Sequence, residues 1–315
     1  RAAFKAILSG KQACLLCPTT LLAKQHYEVS LVRFKNFDIK IAILTRFNSP
    51  KEVEDIKNRL TLGKIDLLIG THKVLGKSVV FNELGLLIID EEQRFGVEQK
   101  EKIKELKNNL DVLTLSATPI PRTLQSSLIG LKSVSTIQTP PKERIPIQTY
   151  VVPFDPRVVK ELILREMGRE GQIYYIHNNT YTIYSRAQQI MELIPECRIG
   201  VVHGQMPKNE INLIMTQFYQ GDIDLLMATS IIENGIDVRN ANLILVENAD
   251  RFGLAQLYQI KGRVGRGNRM AFAYLMVDPK RELKEISRKR LKAIQDFTEL
   301  GSGYKIAQRD LLIRG

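Results

Sequence analysis

An apolar run that ends in three carboxylates is the part of this sequence with the clearest chemistry. The residues LLII at 86–89 are followed directly by Asp90, Glu91 and Glu92. A continuous apolar run predicts a strand buried on both faces, and ligands of parallel sheets bind at the carboxyl ends of such strands. One acid there can hold Mg²⁺, through water, and a second can orient an attacking water, so we assign these roles to Asp90 and Glu91. The alternative is a strand that ends in a solvated acidic turn.

Three further elements follow in the chain: LSATP at 115–119, ATSIIENGID at 228–237 and QIKGRVGR at 259–266. Together with the acidic run, and in this order, they resemble motifs II, III, V and VI of superfamily 2 helicases and translocases. That resemblance implies an ATP-driven motor that uses ATP and Mg²⁺ and acts on nucleic acid.

Arg263 and Arg266 are the expected arginine fingers. A spacing of three predicts that both project from one face of a helix. Their planar guanidinium groups can bind phosphate oxygens bidentately, and we expect them to reach the γ-phosphate across a cleft between two domains. The alternative is a pair of surface arginines. The glycines here have the inverse of the Rossmann spacing and follow a helical segment, which excludes a dehydrogenase.

The same resemblance assigns the other motif residues. The expected roles are ATP binding for Gln259, Gly235 and Asp237, coupling of hydrolysis to the nucleic acid for Ser116 and Thr118, and contact with nucleic-acid phosphates for Thr229 and Ser230.

Two loops that follow predicted strands carry hydroxyl groups suited to a phosphate backbone. They contain Pro18, Thr19 and Thr20 after the first strand, and Thr71 and His72 after the third. Hydroxyls and backbone N–H groups grip phosphates without reading bases. The alternative is that these threonines only cap helices. We predict DNA contacts at both loops from their order and spacing relative to the acidic run.

Short apolar runs alternate with segments of helical period, which predicts repeated βαβ units. Strands are expected at 13–17, 39–44, 66–70, 84–90, 111–116, 148–152, 172–177, 198–203, 224–229, 242–247 and 271–277. Helices are expected at 21–34, 50–62, 97–106, 156–167, 181–193, 207–219 and 254–263. The fold class is therefore α/β, with two RecA-like parallel-sheet domains in tandem and a C-terminal helical hairpin.

Three prolines within residues 139–146 cannot continue a helix or strand, so they mark a linker. The predicted domains are residues 1–138 and 147–278, followed by the hairpin at 279–315. Its first helix is expected to bury Leu283, Ile286, Leu291, Ile294 and Phe297 on one face. The hairpin segment 280–315 holds ten lysine or arginine residues against five aspartate or glutamate residues.

Composition limits the class of partner. The formal charge of +12 favours a polyanion, and no apolar run approaches the roughly 18 residues that span a bilayer. Cys14 and Cys17 have C-x-x-C spacing, but a strand turns residues three apart to opposite faces, and no second ligand pair follows. We predict that these two residues and Cys197 are buried core thiols.

The residues between the motifs resemble two bacterial families of duplex translocases, the transcription-repair coupling factors and the RecG fork-remodelling helicases. The shared stretches are DEEQRFGV at 90–97, TPIPRTL at 118–124 and RFGLAQL at 251–257. Glu92, GQM at 204–206, TPP at 139–141 and the tyrosine pair at 174–175 are more similar to the coupling factors. Asn234 and Lys261 depart from the usual family residues.

This resemblance implies a bacterial, cytoplasmic protein that tracks double-stranded DNA, displaces stalled RNA polymerase and recruits nucleotide excision repair. RNA polymerase and the repair proteins would bind through domains outside this segment. No phosphate-binding G-x-x-x-x-G-K-[ST] string occurs, and residues 1–8 resemble the helix that follows one. The chain alone is therefore expected to be inactive. Two alternatives remain: a RecG-like fork remodeller, and a non-hydrolysing nucleic-acid-binding module.

Overall fold

The computed structural model describes residues 1–92, 95–107, 110–116, 145–229 and 238–296, together with positions 133, 135, 137, 306 and 309. The described residues up to 116 pack as one compact unit, and those from 145 onward belong to a second.

The first unit is a five-stranded parallel sheet with helices between the strands. The strands are β1 (Gln12–Leu16), β2 (Ile41–Leu44), β3 (Leu67–Gly70), β4 (Leu84–Asp90) and β5 (Asp111–Leu115), in the spatial order β2-β3-β1-β4-β5. The helices are α1 (Ala2–Leu8), α2 (Thr20–Arg33), α3 (Pro50–Thr61) and α4 (Val97–Lys107), with a 3-10 turn at His72–Leu75. Every residue of β1 is buried, as expected for a central parallel strand.

Local sequence explains why these helices begin where they do. At the start of α3, the Ser49 hydroxyl accepts the Glu52 N–H at 3.3 Å, and the Glu52 carboxylate accepts the Ser49 N–H at 2.7 Å. Pro50 follows as the first helical residue, where its missing N–H costs no hydrogen bond. The buried residues Ile56 and Leu60 lie one turn apart and fix the face that packs on the sheet.

The second unit is a six-stranded parallel sheet. Its strands are β6 (Gln148–Pro153), β7 (Gln172–Ile176), β8 (Ile199–Val202), β9 (Leu225–Ala228), β10 (Ala241–Val246) and β11 (Phe272–Val277), in the order β6-β11-β10-β7-β9-β8. The helices are α5 (Pro156–Met167), α6 (Ile183–Leu193), α7 (Lys208–Gln220), α8 (Leu254–Lys261) and α9 (Glu285–Asp296), with a 3-10 turn at Ala249–Arg251.

The predicted fold class is confirmed, and the element bounds differ from the expected ones by no more than two residues. The first hairpin helix is present as α9, with Leu291 and Ile294 buried. The prediction was wrong for Ile286, which is 50% exposed, and for Leu283, which precedes α9 and is only partly buried. Phe297 and nearly all of the second hairpin helix lie outside the described residues, as does most of the segment 117–144 that contains the linker. The domain boundaries therefore stay predictions.

The three cysteines are buried free thiols, as predicted. Burial raises the pKa of Cys14 to about 12, so this thiol stays protonated at neutral pH. No helix in the described part of the chain is long and apolar enough to cross a bilayer.

Candidate nucleotide and nucleic-acid site

The carboxyl edge of the first sheet brings together the loops singled out in the sequence. Strand β1 pairs with β3 on one side and with β4 on the other, and β5 pairs with β4. Asp90 is the last residue of β4, Thr19 and Thr71 follow β1 and β3, and Ser116 follows β5. Because all five strands are parallel, these residues lie at one edge.

The acidic pair has a well-defined local geometry. The Asp90 side chain is 18% exposed, and its Oδ2 lies 3.1 Å from the Nε2 of His26 on α2. Glu91 has φ of 52°, a left-handed conformation that costs a non-glycine residue about 1 kcal/mol or more. Its N–H donates to the Leu115 carbonyl at 2.9 Å, which ties the end of β4 to the end of β5. The backbone thus turns at Glu91 directly after Asp90.

Cys17 directly follows β1, and the charge of Asp90 affects its pKa. Burial raises the pKa of the Cys17 thiol, and the negative charge of Asp90 raises it further. The thiol is fully buried, and both effects keep it neutral. Cys17 is therefore a core residue and does not act as a nucleophile or metal ligand.

The two hydroxyl loops differ in what they expose. Pro18, Thr19 and Thr20 are partly exposed, and the Thr19 hydroxyl also caps α2 by accepting the Leu22 N–H at 3.3 Å. Thr71 is only 4% exposed, and its N–H donates to the Leu44 carbonyl at 3.3 Å. His72 is exposed. Thus the loop after β1 offers hydroxyls to a phosphate, whereas the loop after β3 offers an imidazole and not the N–H of Thr71.

The expected coupling residues are only partly described. Ser116 is exposed at the end of β5, next to the strand that carries Asp90. Thr118 lies outside the described residues.

In the second unit, Thr229 follows β9 at the carboxyl edge. It is 6% exposed, and its N–H donates to the Val202 carbonyl at 3.3 Å. Ser230, Gly235 and Asp237 lie outside the described residues. Their assigned roles therefore remain predictions.

The arginine pair lies after helix α8. The helix ends at Lys261, Gly262 is its C-cap, and Gly265 has φ of +69°. The sequence-based argument that both arginines project from one helical face was wrong, because this left-handed glycine redirects the chain between them. Arg263 is 9% exposed, and Arg266 is partly exposed, with its Nε donating to the Gly262 carbonyl at 3.1 Å. Gln259 lies on α8 and is partly exposed.

The sequence interpretation missed a buried polar network at the carboxyl edge of the second sheet. Glu247, 4% exposed, accepts a hydrogen bond from the Tyr175 hydroxyl, and its Oε2 lies 2.9 Å from Nδ1 of His177. The Nε of Arg186 lies 2.8 Å from Oε1 of Glu247. His177 and Glu247 follow β7 and β10, which pair in the sheet. Because the two strands are far apart in the chain, no sequence motif joins these residues.

The donor set at the first edge fits a hydrated Mg²⁺ bound with a nucleoside triphosphate. Mg²⁺ prefers carboxylate and hydroxyl oxygens and keeps several waters, so one accessible carboxylate beside phosphates is sufficient. Asp90 supplies that carboxylate, and Glu91 lies next to it. Within the part of the chain that the structure describes, no group of three or more His, Cys, Asp or Glu side chains forms a metal cage.

Two family models match the chain. A DEAD/DEAH box helicase model covers residues 1–127, and a helicase conserved C-terminal domain model covers residues 156–268. The chain thus contains both helicase-family domains. The first model includes all five strands of the first sheet, and the second includes β7 to β10 of the second sheet. Domains of this type imply nucleotide binding.

Curated relatives refine the comparison. The chain is 51% identical over 315 residues to the transcription-repair-coupling factor of Staphylococcus haemolyticus strain JCSC1435, and 50% identical to that of Staphylococcus aureus strain USA300. Both matches cover 100% of the chain and 27% of the relative, so the chain spans about a quarter of the length of these proteins. The predicted resemblance to the coupling factors is confirmed.

Solved structures of helicases also resemble this chain. RecG bound to a three-way DNA junction matches with a TM-score of 0.83 and 36% identity, covering 98% of this chain and 41% of RecG. S. cerevisiae Dbp5 bound to RNA and ADP BeF3 matches with a TM-score of 0.66 at 17% identity, covering 97% of this chain and 82% of Dbp5, which shows the shared fold alone.

Proposed function

We propose that this chain is the motor core of an ATP-driven translocase of the coupling-factor type, acting on double-stranded DNA. The observation that carries the proposal is the carboxyl edge of the first sheet, where Asp90 and Glu91 lie beside the partly exposed Thr19–Thr20 loop. A carboxylate pair suited to phosphoryl transfer and a loop suited to nucleic-acid phosphates share one edge.

In this proposal each residue has a distinct task. Asp90 holds the hydrated Mg²⁺ that accompanies ATP, and Glu91 orients the attacking water. Gln259, Gly235 and Asp237 contact the nucleotide, and Arg263 and Arg266 supply positive charge to the γ-phosphate. On the nucleic-acid side, Pro18, Thr19, Thr20, Thr71, His72, Thr229 and Ser230 hold the DNA. Ser116 and Thr118 link the two. The buried position of Thr71 makes His72 the stronger candidate for a phosphate contact in its loop.

The proposal extends to the longer protein. By analogy with its coupling-factor relatives, it displaces stalled RNA polymerase and recruits excision-repair proteins in the bacterial cytoplasm. Hydrolysis is assigned to that longer protein and not to the 315-residue chain, which lacks the phosphate-binding loop.

ATP hydrolysis by the full-length protein tests the proposal. The panel comprises no nucleic acid, linear duplex, single-stranded DNA, forked DNA and RNA. We expect linear duplex to stimulate hydrolysis. The Glu91→Gln variant should lose it by roughly 100-fold or more while binding ATP normally, because the amide cannot accept a proton from water. Full turnover in that variant would contradict the role of Glu91.

The RecG-like alternative is supported by the 36% identity to RecG, against 51% to a coupling factor. It predicts that forked DNA stimulates hydrolysis well above linear duplex. If no substrate supports hydrolysis, the remaining hypothesis is a non-hydrolysing nucleic-acid-binding module.

A further inference from the structure

His26 connects the two halves of the site in the first unit. Its Nε2 lies 3.1 Å from Oδ2 of Asp90, although the two residues are 64 positions apart in the chain. An ionised carboxylate can only accept a hydrogen bond, so with Asp90 ionised the Nε2–H of His26 is the donor of this contact. None of the motifs identified in the sequence contains His26.

Helix α2 carries His26 and begins at the Thr19–Thr20 loop. Thr19 is the N-cap, with its hydroxyl bonded to the Leu22 N–H and its carbonyl accepting the Ala23 N–H at 3.1 Å. Thr20 is the first helical residue, and His26 lies six residues later, roughly 9 Å along the helix axis. One continuous helix therefore runs from the proposed DNA loop to the proposed Mg²⁺ carboxylate.

This helix is held against the sheet, so it transmits a displacement instead of absorbing it. Leu22 and Ala23 are buried in an apolar cluster that includes Leu15 on β1, Ile69 on β3 and Ile88 on β4. These strands lead to the candidate loops and to Asp90. Close-packed interiors deform little, so a shift at the helix N-terminus moves His26 with it.

The His26–Asp90 hydrogen bond is sheltered enough to orient the carboxylate. The two side chains are 34% and 18% exposed. Hydrogen bonds from outside the metal shell fix the orientation of a metal-binding carboxylate, and their loss typically costs 10–100-fold in metal affinity or activity.

We propose that His26 is a positioning residue that couples DNA bound at the Thr19–Thr20 loop to the nucleotide site at Asp90. This inference rests on the proposed function, because it needs DNA at that loop and nucleotide at Asp90. It adds a route through α2 to the one expected through Ser116 and Thr118.

The test measures coupling between two binding events in the full-length protein. The affinity of a fluorescent, non-hydrolysable ATP analogue with Mg²⁺ is measured with and without saturating linear duplex DNA. Coupling of this kind is typically 5–150-fold, and it is reciprocal between the two ligands. DNA affinity, DNA-stimulated hydrolysis and melting temperature are measured in parallel.

Three variants separate coupling from folding. In His26→Ala, saturating DNA should change the nucleotide affinity by no more than about twofold, and DNA affinity should be retained. His26→Gln should restore at least half of the coupling, because the glutamine amide N–H can donate from a similar position. Glu28→Ala removes an exposed side chain from the same helix and should behave as wild type.

Unchanged coupling in His26→Ala would overturn the inference. So would equal losses in the Ala and Gln variants, or a loss that follows a lowered melting temperature. If wild-type protein shows no effect of DNA on nucleotide binding or hydrolysis, the proposed function fails and this inference fails with it. If wild type is coupled and His26→Ala is equally coupled, only the role of His26 fails.

Discussion

At the scale of single residues, two positions of the candidate site have left-handed backbone conformations. Glu91 adopts φ of 52° immediately after the end of β4, and Gly265 adopts φ of +69° between the two arginines. Strained or left-handed backbone persists where the surrounding structure fixes it, and here it directs charged side chains. Both positions lie in segments that the sequence motifs had assigned to ATP hydrolysis.

Lys261 is a buried cation next to these arginines. It is 4% exposed, and its Nζ donates to the Ile294 carbonyl at 3.3 Å, in the last turn of α9. An ammonium group at a helix C-terminus interacts favourably with the unpaired carbonyls there. Burial nevertheless lowers the pKa of Lys261 to about 8, so the charged form is destabilised in the fold.

This lowered pKa makes stability depend on pH. Between about pH 8 and pH 10.4 the unfolded chain keeps a proton that the folded chain has released, so the free energy of unfolding rises with pH in that window. Below pH 8 both states are protonated, and the burial cost is constant. We expect Lys261→Met to remove the rise and to stabilise the chain at pH 7 by about 2 kcal/mol, after allowing for the lost hydrogen bond.

Urea unfolding of the chain at several pH values from 7 to 10 measures this effect. Lys160→Met, at an exposed position on α5, is the matched control and should keep the wild-type pH dependence. If the free energy of unfolding rises with pH as steeply in Lys261→Met as in the control, the prediction is contradicted.

At the scale of elements, the two units contain matching strand segments. GKIDLLIGT at 63–71 and GDIDLLMAT at 221–229 align without a gap, and they form β3 and β9 with their flanking residues. In each unit the aspartate before the strand accepts a backbone N–H, from Lys40 to Asp66 at 2.6 Å and from Arg198 to Asp224 at 2.9 Å. Thr71 and Thr229 end the repeat, and both are buried.

A second pair of residues occupies equivalent positions at the amino edges of the sheets. The side-chain amide of Gln12 donates to the carbonyls of Leu60 and Ile65 at 3.0 and 2.7 Å. That of Gln172 donates to two carbonyls in the same relative positions, at 2.5 and 2.9 Å. The repeat is visible in the sequence itself, because both segments keep the same residue types at the same spacing.

Gly70 ends β3 at a point of close backbone approach. A Cβ atom there would lie 2.4 Å from the Leu44 carbonyl oxygen and 2.5 Å from Cγ1 of Val74. We expect Gly70→Ala to destabilise the chain by roughly 1–3 kcal/mol, because neighbouring backbone must move to admit the methyl group. Thermal unfolding, at about 4 °C per kcal/mol for a unit of roughly 120 residues, measures the loss.

Gly96→Ala is the control for this prediction. A Cβ atom at Gly96 meets no atom within 4 Å, so its unfolding temperature should match wild type. Equal melting temperatures for the two variants would contradict the account of Gly70.

At the scale of the whole molecule, charge governs the interaction with a partner. The chain has 46 Lys and Arg against 34 Asp and Glu, a net charge of +12. On α9 the exposed Lys289 is paired with Glu285 at 2.6 Å, and Arg288 lies 3.5 Å from Glu282. Pairs at such exposed positions contribute little to stability, so these cations can exchange their partners for phosphates.

Salt dependence of DNA binding by the 315-residue chain tests this. With three or more phosphate contacts, the slope of log affinity against log salt on duplex DNA should be about −3 or steeper, so affinity falls roughly 50-fold from 50 to 200 mM salt. Fluorescence anisotropy with a labelled linear duplex measures the slope. A flat response would contradict phosphate-driven binding, for the chain and for its proposed role as a motor core.

The sequence by itself determined the strands and helices, the parallel α/β fold and the two helicase-type domains. Apolar runs and helical periodicity are local, and the motif residues occur in a fixed order along the chain. Tertiary structure decided what depends on strand order and on the path of the backbone. It paired His26 with Asp90, joined Glu247 to His177, buried Thr71 and turned the chain at Gly265 between the arginines. These contacts join residues distant in sequence or depend on single backbone angles, so no spacing rule predicts them.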